Sequence, residues 1–269
     1  MTKEKGLDGK RIGIFGKGGA GKSTFTAIFS RFLSNLGYQV CILDADSTNV
    51  GFSHALGLQN PEKSMLDYFG GMVFSGGAVT CPVDDPTPLQ DREIVVDDLS
   101  PEYFVQDETG IKVFTAGKIS HQGAGAGCDG PVSKIARDLI LHQREREPVT
   151  LIDFKAGFED SARGAVTGLD FAIVIIDPTI ASIEMATSMQ TMFDQLQEHR
   201  LPATSHIENP DLVAIANEIY ANSKMKAIFF VLNKVPDQET KIYLQDQLAQ
   251  KGIKAIACIQ NDPGIPVAG

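Results

Sequence analysis

Ile12-Gly13-Ile14-Phe15, followed by Gly16-Lys17-Gly18-Gly19-Ala20-Gly21-Lys22-Ser23-Thr24, is the stretch on which the rest of the chain turns. A short apolar run leads into the spacing G-x-x-x-x-G-K-S, and a helical pattern follows, which is the context a phosphate-binding loop requires. Glycines let successive backbone N–H groups turn inward around phosphates, and the N-terminus of the following helix favours negative charge there. Lys22 is expected to neutralise the β- and γ-phosphates and Ser23 to hold Mg²⁺. Gly18, Gly19, Ala20, Gly21 and Thr24 complete the expected cradle. Lys17 is not needed to cradle a phosphate within one chain, and it makes the loop K-G-G-x-G-K-S-T.

The length of 269 residues suits a single α/β domain over residues 1–269. No apolar run is long enough to span a bilayer, and Met1-Thr2-Lys3-Glu4-Lys5-Gly6 has no signal-peptide apolar region, so a cytoplasmic location is expected. Cys41, Cys81, Cys128 and Cys258 are scattered and form no C-x-x-C pair, which favours reduced thiols over a disulfide framework. The net charge of -10 opposes broad nucleic-acid binding.

Strand-like runs alternate with helical patterns. Strands are expected over Arg11–Phe15, Val40–Leu43, Ile111–Thr115, Val149–Ile152, Phe171–Ile176, Ile228–Leu232 and Ala255–Cys258. Helical stripes run from Phe25 to Leu36, from Val132 through Leu139 and Ile140, from Ile183 to Leu196, and around Leu212–Tyr220 and Ile242–Leu248. The nearly continuous apolar strands resemble those covered on both faces. The expected fold is α/β, with a mostly parallel β-sheet flanked by helices on both faces. Residues 70 to 110 break the rhythm: they are rich in Gly, Pro and Asp, lack periodicity, and read as an acidic, irregular insertion, either a solvated excursion or a partner-docking surface.

Carboxylates end two of the central strands. Asp44 and Asp46 alternate after the second strand, so one can face a metal while the other faces an attacking water. In open α/β sheets ligands sit at such carboxyl ends. Asp153 follows a buried strand, where a carboxylate binds Mg²⁺ directly or through water. Gly157 offers a flexible N–H that could sense a γ-phosphate. Asn233, followed by Lys234, can present its amide to an adenine edge. No aspartate follows Lys234 at the spacing used for guanine, which favours ATP.

The loop resembles the deviant Walker A loop of the dimeric ATPases that include MinD, ParA and the nitrogenase iron protein, within the P-loop NTPases. The resemblance implies that Lys17 reaches the nucleotide of a partner subunit in an ATP-bound homodimer. It implies that Asp46 activates water, that Asp44 lies in the Mg²⁺ surroundings, and that Asn233 meets the base. Further along, Leu99-Ser100-Pro101-Glu102-Tyr103, Gly117-Lys118-Ile119, Gly125-Ala126-Gly127-Cys128-Asp129-Gly130-Pro131, Ile152-Asp153-Phe154-Lys155-Ala156-Gly157 and Asp177-Pro178-Thr179 occur in an order similar to the ATPases that assist nickel insertion into carbon monoxide dehydrogenase. This branch implies a client metalloenzyme as partner, with neither nucleic acid nor membrane among the partners.

Two departures from the branch stand out. The family carries a C-x-C pair where this chain has Cys128-Asp129-Gly130, so a symmetric dimer would supply two thiolates from Cys128. Further ligands for nickel, zinc or an iron–sulfur cluster stay open among Asp129, His121 and a partner. Lys155 stands where the family has an acidic residue, which places a cation beside the Mg²⁺ carboxylate. Two other functions compete with metallocentre assembly. A positioning or partition ATPase of the MinD/ParA type would need a C-terminal amphipathic helix or a basic stripe, and neither Pro263-Gly264-Ile265-Pro266-Val267-Ala268-Gly269 nor the charge provides it. An ATP-gated iron–sulfur electron donor would need a second cysteine per chain, for which Cys81 is the one unplaced candidate.

Overall fold

The protein, a computed structural model, is described over residues 5–48, 52–118, 128–262 and 264. The chain runs β1 (Arg11–Gly16), α1 (Lys22–Asn35), β2 (Val40–Ala45), α2 (Phe52–Ala55), α3 (Met65–Tyr68), β3 (Glu93–Val95), β4 (Phe104–Gln106) and β5 (Lys112–Thr115). It continues through α4 (Gly130–Asp138), β6 (Ile140–His142), β7 (Val149–Phe154), α5 (Glu159–Ala162), β8 (Phe171–Ile176), α6 (Ile180–Gln197), α7 (Pro210–Ala221), β9 (Ala227–Val235), α8 (Gln238–Ala249) and β10 (Ala255–Gln260).

Eight strands form one sheet in the order β10-β9-β8-β1-β7-β2-β5-β4. Every pairing in it is parallel except that of the edge strand β4, which runs antiparallel to β5. The α/β fold and the helices on both faces are as the sequence indicates. Alternation along β1 shows why: Ile12 and Ile14 pack with Ala27 and Leu33 of α1 on one face, while Phe15 joins Ile135 of α4 and Ala186 of α6 on the other. Phe15 and Phe154 stack with ring centroids 4.4 Å apart, which fixes β1 against β7 where both end.

Two local expectations are revised. The stripe read as helical through Ile140 stops at Asp138, and Ile140–His142 pairs in parallel with Glu93–Val95 as a separate two-stranded sheet. Leu139 and Ile140 continue the 3.6-residue apolar pattern, but Leu139 leaves the helix in an extended conformation (ψ 123) and turns the chain to its new partner. The segment from 70 to 110 carries β3, β4 and short 3₁₀ turns, and buries Met72, Val79, Ile94 and Val96 in the core shared with α4. Lys134 donates to the carbonyl of Asp85 at 3.0 Å and Arg137 to that of Pro86 at 2.9 Å, so α4 holds this segment by its backbone.

Candidate nucleotide site

The loop between β1 and α1 owes its shape to glycine at two tight places. Gly21 has φ 91, and a Cβ there would lie 2.5 Å from Asn233 Nδ2. Gly16 has φ 154, and its Cβ would meet the Ile175 carbonyl at 2.7 Å. Side-chain oxygens cap α3, α6, α7 and α8, but none caps α1, and its first turn holds no acidic residue. Its first amides are therefore left for an anion, and the helix dipole favours one there. Gly18 and Gly19 are exposed, Ala20 is buried, and Lys17 is half-buried. Thr24 lies in the first turn of α1.

Lys22 is buried, and its ammonium donates to the Lys17 carbonyl at 3.2 Å. Burial lowers its pKa, while Asp153 and Asp46 oppose that shift. Parallel pairing places Asp44 directly beside Asp153 at the carboxyl ends of β2 and β7. Ser23 Oγ donates to Asp153 Oδ2 at 2.7 Å, and Thr26 Oγ1 lies 3.3 Å from the other oxygen. Asp153 is pushed up to about 7, chiefly by burial, with Asp44 and Asp46 adding to the rise. Asp44 is pushed up to about 6 by burial, against the pull of Lys118. Lys118 Nζ reaches Asp44 Oδ2 and the Asp46 carbonyl, each at 2.6 Å. The Asp46 carboxylate accepts the amide and hydroxyl of Thr48, at 3.0 and 2.7 Å.

A buried carboxylate with a raised pKa, bonded to a loop serine beside a second carboxylate, is a place that a divalent cation would stabilise. With the uncapped α1 and the glycine-shaped loop, the residues present fit nucleotide phosphates and Mg²⁺. Ser23, Asp153 and, beside them, Asp44 are the groups that could hold such an ion.

Asn233 and Lys234, at the end of β9, also come to the loop. Asn233 Nδ2 donates to the Ala20 carbonyl at 2.8 Å and Lys234 Nζ to the Gly19 carbonyl at 2.8 Å. Both therefore hold the loop's backbone, a role that no sequence spacing reveals. Gly21→Ala would force a Cβ against the Asn233 amide at a left-handed backbone position. Such strain costs about 1–3 kcal/mol, so a fluorescent ATP analogue is expected to bind this variant roughly tenfold or more weakly than wild type.

Cys128 is half-buried just before α4, and its Sγ accepts the Gly130 amide at 3.3 Å. Asp129, between them, is nearly buried. Its carboxylate takes Lys155 Nζ at 2.8 Å and Arg163 Nη2 at 2.9 Å. Lys155, one of the two departures seen in the sequence, is thus the ion-pair partner of Asp129, the residue between Cys128 and the Gly130 that replaces the family's second cysteine. Lys155 lies two residues beyond Asp153, so the pair joins the end of β7 to the cysteine-bearing entry of α4. His121, the other ligand considered, lies outside the described residues, as do Gly125 to Gly127 and most of the C-terminal tail from Pro263 onward. Among the described residues no group of three or more Cys, His, Asp or Glu is arranged to hold a metal ion.

Residues 14–268 match the family model described as the CobQ/CobB/MinD/ParA nucleotide binding domain. The chain belongs to that family, the P-loop ATPase class of MinD and ParA. It is 29% identical to an uncharacterized ATP-binding protein of Methanocaldococcus jannaschii over 96% of this chain and 91% of the relative. It is 32% identical to the carbon monoxide dehydrogenase accessory protein CooC of Rhodospirillum rubrum over 67% of each. The cell division ATPase MinD of Pyrococcus furiosus shares the fold, with a TM-score of 0.56 and 19% identity over 96% of this chain and 85% of that one. Among the described residues no helix is long and apolar enough to cross a membrane.

Proposed function

We propose that this chain is a cytoplasmic Mg-ATP-dependent ATPase that closes as a homodimer on binding ATP and uses that cycle to assist metallocentre assembly in a partner metalloenzyme. The observation that carries the reading is the Lys155–Asp129 pair, which ties the strand ending in Asp153 to the residue beside Cys128. The similarity to an accessory protein of carbon monoxide dehydrogenase supports the same direction.

In this reading Lys22 and the amides at the start of α1 neutralise the phosphates, and Asn233 and Lys234 keep the loop in shape to do so. Asn233 also borders the adenine. Ser23 and Asp153 hold the ion, with Asp44 in its surroundings, and bound Mg²⁺ supplies charge neutralisation at the phosphates. Asp46 orients and deprotonates the attacking water. Lys17, not needed in its own loop, crosses to the partner's phosphates, so hydrolysis waits for the dimer. Gly157, whose amide reaches the Gly16 carbonyl at 3.3 Å, is where the phosphate state passes to the segment carrying Lys155.

The test is ATP hydrolysis together with light-scattering mass, with and without Mg-ATP. Lys22→Ala is expected to lose roughly 10²–10³ in turnover, the scale for one lost electrostatic contact to the transition state. Lys17→Ala is expected to bind ATP yet stay monomeric and slow. Wild-type hydrolysis by Lys22→Ala would overturn the ATPase assignment, and full ATP-driven dimerisation of Lys17→Ala would overturn the trans role of Lys17.

A further inference from the structure

Gly130 touches two sulfurs. A Cβ built on it would lie 2.5 Å from Cys81 Sγ and 2.7 Å from Cys81 Cβ, so the Cys81 side chain fills the space a side chain at 130 would need. On the other side, the Gly130 amide donates to Cys128 Sγ at 3.3 Å. The chain therefore brings together two thiols that are far apart in sequence, at the N-terminus of the nine-residue helix α4. Each sulfur also receives backbone amides from just downstream. Those of Val83 and Asp84 point to Cys81, as that of Gly130 points to Cys128. Burial pushes the Cys81 thiol up and these amides only partly offset that, so a bound cation is what would favour its thiolate form. Asp129, between Cys128 and Gly130 in the chain, turns its carboxylate to Lys155 and Arg163.

We infer that Cys81 and Cys128 act together as a dithiol site for a thiophilic metal ion, with Cys81 supplying the second sulfur that position 130 lacks. Two thiolates per chain select soft or borderline ions such as zinc, nickel or copper(I) over Mg²⁺, which the carboxylates of the nucleotide site favour. Two closed protomers would present four such sulfurs. This deepens the metallocentre reading above and depends on it for the use to which the ion is put, but not for the binding itself.

Cobalt(II) is a direct probe, because the intensity of its sulfur-to-metal charge-transfer band scales with the number of thiolates. The reduced full-length protein is titrated anaerobically with CoCl₂ without nucleotide, as wild type, Cys81→Ser and Cys128→Ser. Wild type is expected to show the band, with one ion per chain or one per two chains. Each variant is expected to lose about half its intensity or all of it, and either result supports the dithiol. Wild-type intensity in Cys81→Ser overturns the inference, as does the absence of a band in wild type. If Cys81→Ser fails to fold, dibromobimane on wild type keeps the question answerable. It fluoresces on bridging two nearby thiols, and peptide mapping must place the bridge between Cys81 and Cys128; a bridge elsewhere, or none, counts against the site. A second titration with Mg-ATP separates the readings. A normal cobalt band without any nucleotide binding would sink the ATPase proposal and leave the dithiol standing. Nucleotide-driven dimerisation without a band would do the reverse.

Discussion

Asp153→Asn protein is expected to bind ATP without the tightening that Mg²⁺ gives wild type, and to outlast wild type against heat at pH 8. Asp153 is almost fully buried, and its pKa rises from 3.8 to about 7, first because of burial and then because Asp44 and Asp46 lie close. The folded state therefore holds this proton more tightly than the unfolded chain. The stability this lends is fully present below pH 3.8 and is lost as pH climbs through 7, leaving a buried anion that Lys22 and Ser23 only partly offset. The full loss is roughly 4 kcal/mol at 1.36 kcal/mol per pH unit. Asparagine keeps the shape and can still bond Ser23 but carries no charge at any pH. Its advantage in melting temperature should be small near pH 5 and grow to several degrees at pH 8, on the usual scale of 2–4 °C per kcal/mol. A gain equal at the two pH values would contradict this, as would Mg²⁺-dependent tightening that survives the substitution. In wild type, the Mg²⁺ effect on nucleotide affinity should weaken as pH falls from 8 to 6, since the ion competes with the proton on Asp153.

The second large effect is expected at Asp129. Asp129→Ala leaves Lys155 and Arg163 facing each other without their shared carboxylate. Breaking a buried pair on one side costs 3–5 kcal/mol. Both cations keep partial contact with water, so about 2–3 kcal/mol is expected here, read from urea or thermal unfolding. The more specific test removes the other partner. Lys155→Met keeps the aliphatic stem and leaves Asp129 with Arg163. It should bind Mg-ATP like wild type, yet Cys128 should be alkylated at one rate with and without nucleotide. Wild type should show a change of several-fold, resolved by peptide mass spectrometry. Addition of Asp129→Asn to Lys155→Met should cause no further loss of this response, because two halves of one link cannot be lost twice. A nucleotide response preserved in Lys155→Met would mean that β7 signals to α4 by another route.

Much of this was legible in the residues themselves. The loop Gly16–Thr24 declares itself by spacing alone, and Asp44 and Asp153 are marked by the apolar strands they close, because parallel strands put their carboxyl ends at one edge. Asn233 reads in the sequence as a contact for an adenine edge, while its bond to the Ala20 carbonyl leaves no trace there, since a backbone acceptor has no sequence signature. Ile140–His142 misled because strand and helix ask for the same apolar residues over so short a run, and only the partner Glu93–Val95 decides between them. Lys155 reads as a departure from the branch and Asp129 as an open ligand, and because 26 positions separate them and no periodicity joins them, nothing in the sequence pairs them. Cys81 falls in a stretch without periodicity, and nothing in its neighbours tells that it packs beside Gly130. Contacts made by tertiary packing have no local signature, and these are the ones that distinguish this chain.

Among the described residues, β1 precedes every other strand and lies in the middle of the sheet. β1 has β7 on one side and β8 on the other, and these begin at Val149 and Phe171, beyond the midpoint of the chain. A ribosome adding 5–20 residues per second therefore leaves β1 without either strand partner for about ten seconds. The loop that follows cannot take its final form in that interval, because Asp153, Ile175 and Asn233 have yet to be made. Nucleotide capture thus waits until synthesis has passed Asn233, and until then β1 is an apolar strand without its sheet.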